Sequence, residues 1–155
     1  MKLALGTAQF GMSYGINNRS GQISQRDVQE ILQYASSVGI HTIDTAIAYG
    51  SSEQSLGEAG VDAFEVITKL PSIPEKCNNL EDWLLSEVED SLKRLGVTYL
   101  HGLMLHRPDQ LYGPMGERIL ASLMRLKEAG LVRKVGVSVY DPEEFDQLFS
   151  LADFG

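Results

Sequence analysis

Short apolar runs suited to strands alternate with longer amphipathic runs suited to helices along the whole chain, at roughly 30 residues per β–α unit. That alternation leaves few folds open, because strands joined through helices run parallel and a parallel sheet must be covered by the helices that connect it. Five strand candidates stand out: Leu3 to Leu5, His41 to Asp44, Phe64 to Lys69, Tyr99 to Leu105 and Leu131 to Ser138. The fourth is nearly continuous in apolar character, as a parallel strand buried on both faces should be.

The helices between them carry their own start and stop signals. Ser24, with Asp27 three residues on, predicts an N-cap, and Val28, Ile31, Leu32, Ala35 and Val38 trace one face up to Gly39. A short helix is expected from Ser52 to about Gly60. Asn79 caps a helix with the face Leu84, Val88, Leu92 and Leu95, closed by Gly96. Ile119, Leu120, Leu123 and Leu126 mark another that stops at Gly130, and Asp141-Pro142 opens the last. Gly11 to Gly21 reads as a loop, and Met104 and Met124 fall in apolar runs that suggest core positions.

Two architectures fit five such units, a doubly wound sheet or part of an eight-stranded barrel. The nucleotide-fold glycine fingerprint is absent after the first strand, where Gly6-Thr7-Ala8-Gln9-Phe10-Gly11 has the wrong spacing. The expectation is therefore an α/β fold of the parallel (β/α) TIM-barrel type, incomplete, with about five of eight units. All 155 residues, 43% of them hydrophobic, are expected to form one domain. With 21 acidic and 13 basic residues the net charge is −8, which argues against nucleic acid or an anionic membrane as partner. Cys77 stands alone, so no internal disulfide is possible, and no run approaches the length of a membrane span; a cytoplasmic location is expected.

In such a barrel the loops after the C-terminal strand ends converge, and four polar residues fall there: Asp44, Lys69, His106 and Ser138. Tyr49 lies five residues past Asp44 on the same side. An ammonium held by Asp44 and set beside Tyr49 would lower the phenol pKa from about 10 and make it a general acid. His106 would orient a carbonyl, and the set would serve carbonyl reduction, in which the oxygen gains negative charge and must be protonated. His41 and His101 begin their strands, and at ~3.3 Å per residue His101 lies roughly 16 Å from His106, so both are expected to be structural and no metal site is expected.

Several segments resemble the aldo-keto reductases, which are (β/α)8 barrels using a nicotinamide cofactor, usually NADPH. Leu5-Gly6-Thr7-Ala8-Gln9-Phe10-Gly11 is similar to their first-strand motif, and Ile43-Asp44-Thr45-Ala46 with Tyr49-Gly50, Ser52-Glu53 and Leu56-Gly57 to their second. Ile67-Thr68-Lys69, Leu105-His106-Arg107-Pro108-Asp109 and Val132-Arg133-Lys134-Val135-Gly136-Val137-Ser138 resemble the lysine, histidine and fifth-strand segments. The resemblance implies a catalytic tetrad of Asp44, Tyr49, Lys69 and His106, and places Gly6, Thr7, Asp44 and Ser138 about NADP(H). Val139 stands where the family usually has Asn.

The resemblance covers the first five units only. In the family, strands six to eight carry the residues that stack on the nicotinamide and bind the phosphates, so this chain alone is expected to hold NADPH weakly or not at all. It is expected to associate with itself through the open barrel edges, with a small-molecule carbonyl compound as substrate. Two alternatives stay open: an inactive half-barrel or self-associating scaffold, and a Schiff-base lyase with Lys69 as nucleophile. A carboxylate partner disfavours the last by keeping the lysine protonated.

Overall fold

The computed structural model describes residues 3–16, 18–19 and 21–149. Five strands, β1 (Ala4–Gly6), β2 (Thr42–Asp44), β3 (Glu65–Leu70), β4 (Leu100–Leu105) and β5 (Val132–Val137), form one sheet in the order β1-β2-β3-β4-β5. All four pairings are parallel. Strands laid down in chain order without reversal put every crossover on one side, which is barrel winding and not a doubly wound sheet. The sheet is not closed: β1 and β5 are both edges.

Among the described residues six helices accompany it: α1 (Ala8–Gly11), α2 (Gln25–Ser37), α3 (Ser52–Ala59), α4 (Leu80–Leu95), α5 (Gly116–Glu128) and α6 (Pro142–Phe149). The expected caps form. Ser24 accepts the Asp27 amide at 3.2 Å, Asn79 accepts that of Asp82 at 3.4 Å, and Gly96 takes the left-handed conformation that ends α4. Leu84, Val88, Leu92 and Leu95 are all buried, as are Val28, Leu32 and Ala35 of α2, against Ile43, Val66, Leu70, Leu103 and Leu105 of the strands.

Side chains alternate across a strand, so the two faces of this sheet differ. In β3, Val66, Thr68 and Leu70 point to the helices and are buried, whereas Ile67 on the other face is partly exposed. Thr42 and Met104, on that same open face, are partly exposed too. In a closed barrel this face would be the packed interior.

Three elements depart from expectation. Helix α1, too short at four residues to show a periodicity, lies just ahead of the expected Gly11 to Gly21 loop and shares only Gly11 with it, and a 3-10 turn at Pro108–Leu111 precedes α5. Met124 is not a core residue. It is 40% exposed, because the buried face of α5 runs through Ile119, Leu123 and Leu126 and the next position is rotated about 100° away.

Candidate active site

The rim at the C-terminal strand ends is built by register. Asp44 is the last residue of β2, opposite Gly6 of β1 and Ile67 of β3, and Lys69 lies within β3, opposite Met104. His106 and Ser138 follow β4 and β5 directly, and the Ser138 amide donates to the Leu105 carbonyl at 2.9 Å. Tyr49 comes from the loop entering α3, a tight turn in which its amide donates to Ala46 at 3.0 Å and its carbonyl accepts from Ser52 at 3.0 Å. The missed helix α1 matters here. A Cβ on Gly11 would fall 1.8 Å from the Tyr49 carbonyl oxygen, so the end of α1 and the tyrosine loop touch backbone to backbone. Gly50, at φ +57°, completes the close approach.

The four tetrad candidates meet. Lys69 Nζ donates to Asp44 Oδ1 at 2.5 Å and to the Thr45 carbonyl at 2.9 Å, and lies 5.2 Å from the centre of the Tyr49 ring. The Tyr49 and His106 rings stand edge to face, 5.9 Å apart at 81°. Lys69 is almost fully buried, while the Asp44 side chain keeps about a third of its surface.

Electrostatics at the rim differ from the simple expectation for Tyr49. Its pKa is raised above the ordinary 10.0, not lowered: burial penalises the phenolate, and the Asp44 carboxylate opposes it further. Lys69 is spent on Asp44, so its field at the phenol is largely cancelled. Burial, then the Lys69 ammonium and the Arg107 guanidinium, lowers His106 below 6.5 against the opposing pull of Asp44. At neutral pH the pair is therefore a protonated phenol beside a neutral imidazole.

A cavity of about 480 Å³ opens beside His106, lined by Ala48, Pro71, Ser72, Arg107 and Tyr140. Ser72 and Tyr140 escaped the sequence, since each is a lone polar residue in a loop with only its nearness to a strand end to mark it. Ser138 is half-buried, and its hydroxyl has no hydrogen bond among the described residues. Gly6 is exposed, with open space where a side chain would project. Thr7 is different: it is fully buried, and its hydroxyl and amide both donate to the Asp44 carbonyl at 3.0 Å. Its place is behind Asp44, where it holds the β2 backbone. His101, 3.6 Å from the Glu65 carboxylate, and His41, tilted against Phe64, sit at the other end of the sheet. Among the described residues no three His, Cys, Asp or Glu side chains gather as a metal site, and no helix is long and apolar enough to cross a membrane.

The chain is similar to an aldo-keto reductase of Mycolicibacterium vanbaalenii, with 31% identity over 86% of this chain and 48% of the relative. It also resembles the solved glycerol dehydrogenase of Gluconobacter oxydans, at 31% identity and a TM-score of 0.69 over 96% of this chain and 48% of the other. A Bombyx mori aldo-keto reductase solved in complex with NADP shares the fold, at 24% identity and a TM-score of 0.69 over 97% and 50% of the two chains. The chain thus spans about half the length of such relatives. Residues 2–153 match the model of the aldo/keto reductase family, and this chain belongs to that family.

Proposed function

We propose that this chain carries the proton-transfer half of an NAD(P)H-dependent carbonyl reductase, with Tyr49 as general acid and Asp44, Lys69 and His106 around it. The observation behind this reading is the meeting of the Lys69–Asp44 ion pair, the Tyr49 ring and the His106 ring at one rim beside an open cavity. The raised pKa keeps the phenol protonated at physiological pH, so the proton is in place before the reaction needs it. Neutral His106 donates from one ring nitrogen to the carbonyl oxygen and fixes its position near Tyr49. As negative charge grows on that oxygen, Tyr49 passes its proton across, while Lys69 holds Asp44 and offsets the carboxylate charge that opposes the phenolate.

The residues present suit the nicotinamide end of the cofactor. The free Ser138 hydroxyl on the rim matches a carboxamide, and the open space over Gly6 leaves room beside the sheet. Bound there, the nicotinamide would supply the hydride to the carbonyl carbon. NADP(H) is the proposed cofactor by family likeness, and a cytoplasmic location fits the unpaired Cys77. A second reading, the same fold without turnover, is favoured by the open sheet. Lyase chemistry is disfavoured by the two hydrogen bonds that occupy Lys69 Nζ.

Reduction of a reactive aldehyde with NADPH in large excess tests the assignment. Tyr49→Phe should fold normally and lose ~10²–10⁴-fold in rate. Equal rates in the Phe variant would refute Tyr49 as the donor, and absence of both NADPH binding and turnover in the parent would leave the inactive half-barrel.

A further inference from the structure

Behind the sheet, on the side away from the rim, Glu53 is a carboxylate with 2% exposure that the chemistry above does not use. Its Oε1 accepts the hydroxyls of Thr68 and Ser91, each at 2.7 Å, and its Oε2 accepts Arg94 Nε at 2.7 Å. Thr68 and Ser91 are fully buried. Gly57, one turn along α3, makes this possible, since a Cβ there would fall 2.1 Å from the Arg94 carbonyl oxygen and force α3 and α4 apart. Its neighbour Ser52 reaches the other strands: the Ser52 hydroxyl donates to the Thr7 carbonyl at 2.9 Å and lies 3.1 Å from the hydroxyls of Thr7 and Thr45.

The chain neighbours of these partners are the rim residues. Thr45 follows Asp44, Thr68 precedes Lys69, and α3 begins three residues after Tyr49. One helical turn is thereby tied to the strand ends that present the acid, the lysine and the tyrosine. Stability alone does not account for a buried charge at this place, because an apolar side chain of similar size is often as stabilising as a buried ion pair. What the carboxylate adds is direction, a short bond aimed at the residue beside Lys69.

We propose that Glu53 is a positioning residue that clamps Thr68, and through it Lys69, to the first turn of α3, setting the ammonium at its distance from Tyr49. The proposal rests on the reductase assignment for its importance, but its test does not need turnover. In ¹⁵N-labelled protein the buried Lys69 ammonium should give a slowly exchanging NMR resonance, identified by its loss in Lys69→Met; ¹³C-labelled tyrosine follows the Tyr49 titration, identified by Tyr49→Phe. Thr68→Val, which replaces the hydroxyl with a methyl group of similar size, should keep a cooperative thermal transition while Lys69 exchange quickens by about tenfold or more, and the Tyr49 midpoint should move. Thr68→Ser should restore both signals, and Glu53→Gln should disturb them as Thr68→Val does.

A folded Thr68→Val protein with both signals unchanged would overturn the proposal. Should that variant fail to fold, unchanged signals in Glu53→Gln would do the same, and loss of folding in both would assign the cluster to stability alone. Displaced signals in a protein that reduces nothing would sink the reductase assignment and leave the clamp standing.

Discussion

Glu53 and Asp44 are two carboxylates paired to cations on opposite sides of one sheet, and they are satisfied in different measure. Glu53, sealed between β3 and α4, has three donors for its two oxygens and almost no contact with solvent. Asp44 holds Lys69 through Oδ1 alone, and about a third of its side chain remains exposed. Around Glu53 the neighbouring hydroxyls are likewise committed, whereas at the rim the hydroxyls of Tyr49 and Ser138 have no hydrogen bond among the described residues. Around Glu53 the carboxylate and hydroxyls are matched, and Arg94 Nη2 alone is buried without a hydrogen bond among the described residues; at the rim the unmatched hydroxyls stand at an open face where a ligand can meet them. The sealed cluster is scaffold and the open one is where chemistry can occur.

Removing the cation on the open side should have the largest effect. Lys69→Met takes away the charge that balances Asp44, and Asp44 already pushes the Tyr49 pKa up. The phenolate would then form against an unscreened carboxylate, so carbonyl reduction should fall by at least ~10²-fold. Because Asp44 keeps access to water, the fold should survive the change. A pH–rate profile together with a thermal melt reads both; full activity in a folded Lys69→Met protein would show that the pair is no more than a surface contact.

Asp44, Lys69, His106 and Ser138 were legible because each ends an apolar run, and a polar residue there has nowhere to point but the rim. Their environment was not legible. The upward shift of Tyr49 depends on burial by loops and on Lys69 being spent on Asp44, which are properties of distance and not of order along the chain. Glu53 was hidden in another way. In sequence it falls in the Ser52-Glu53 motif with no role attached to it, an acid in the first turn of a helix whose spacing of three from the buried Leu56 places it on the inward face. Helix α1 carries a single buried residue, Phe10, too little for any pattern, yet through Gly11 it fixes the tyrosine loop.

The same contrast extends to the two faces of the sheet. Helices cover the face that carries Val66 and Leu70; Ile67 and Met104 on the other are partly exposed, and β1 and β5 have unpaired outer edges. Partly bare strand faces and free edges favour pairing with another chain. The 155-residue chain on its own should therefore associate with a second copy of itself, visible by light scattering as at least twice the single-chain mass. Charged substitutions on the open face, Ile67→Lys with Met104→Glu, should shift it toward monomer. A stable, cooperatively melting monomer at high concentration in the parent would mean that this face needs no cover.

The smallest effect expected is a pH slope that separates the open cluster from the sealed one. Folding lowers the His106 pKa below 6.5, mainly by burial and by Lys69 and Arg107. Over the interval just below 6.5 the unfolded chain therefore binds more protons than the folded one, and stability falls as the pH drops. For Tyr49 the sign is reversed. Its raised pKa means that the unfolded chain loses a proton first as the pH climbs past 10, so stability falls on the alkaline side. Both groups are only partly buried, and solvent screening keeps each slope shallow. Denaturant midpoints between pH 7.5 and 5.5, compared for the parent and His106→Gln, isolate the acid-side contribution from other titrating carboxylates such as Glu87. The parent should lose more stability than the variant over that range. Parallel midpoints would show that His106 titrates alike in both states and that the rim holds it less closely than its edge-to-face contact with Tyr49 implies.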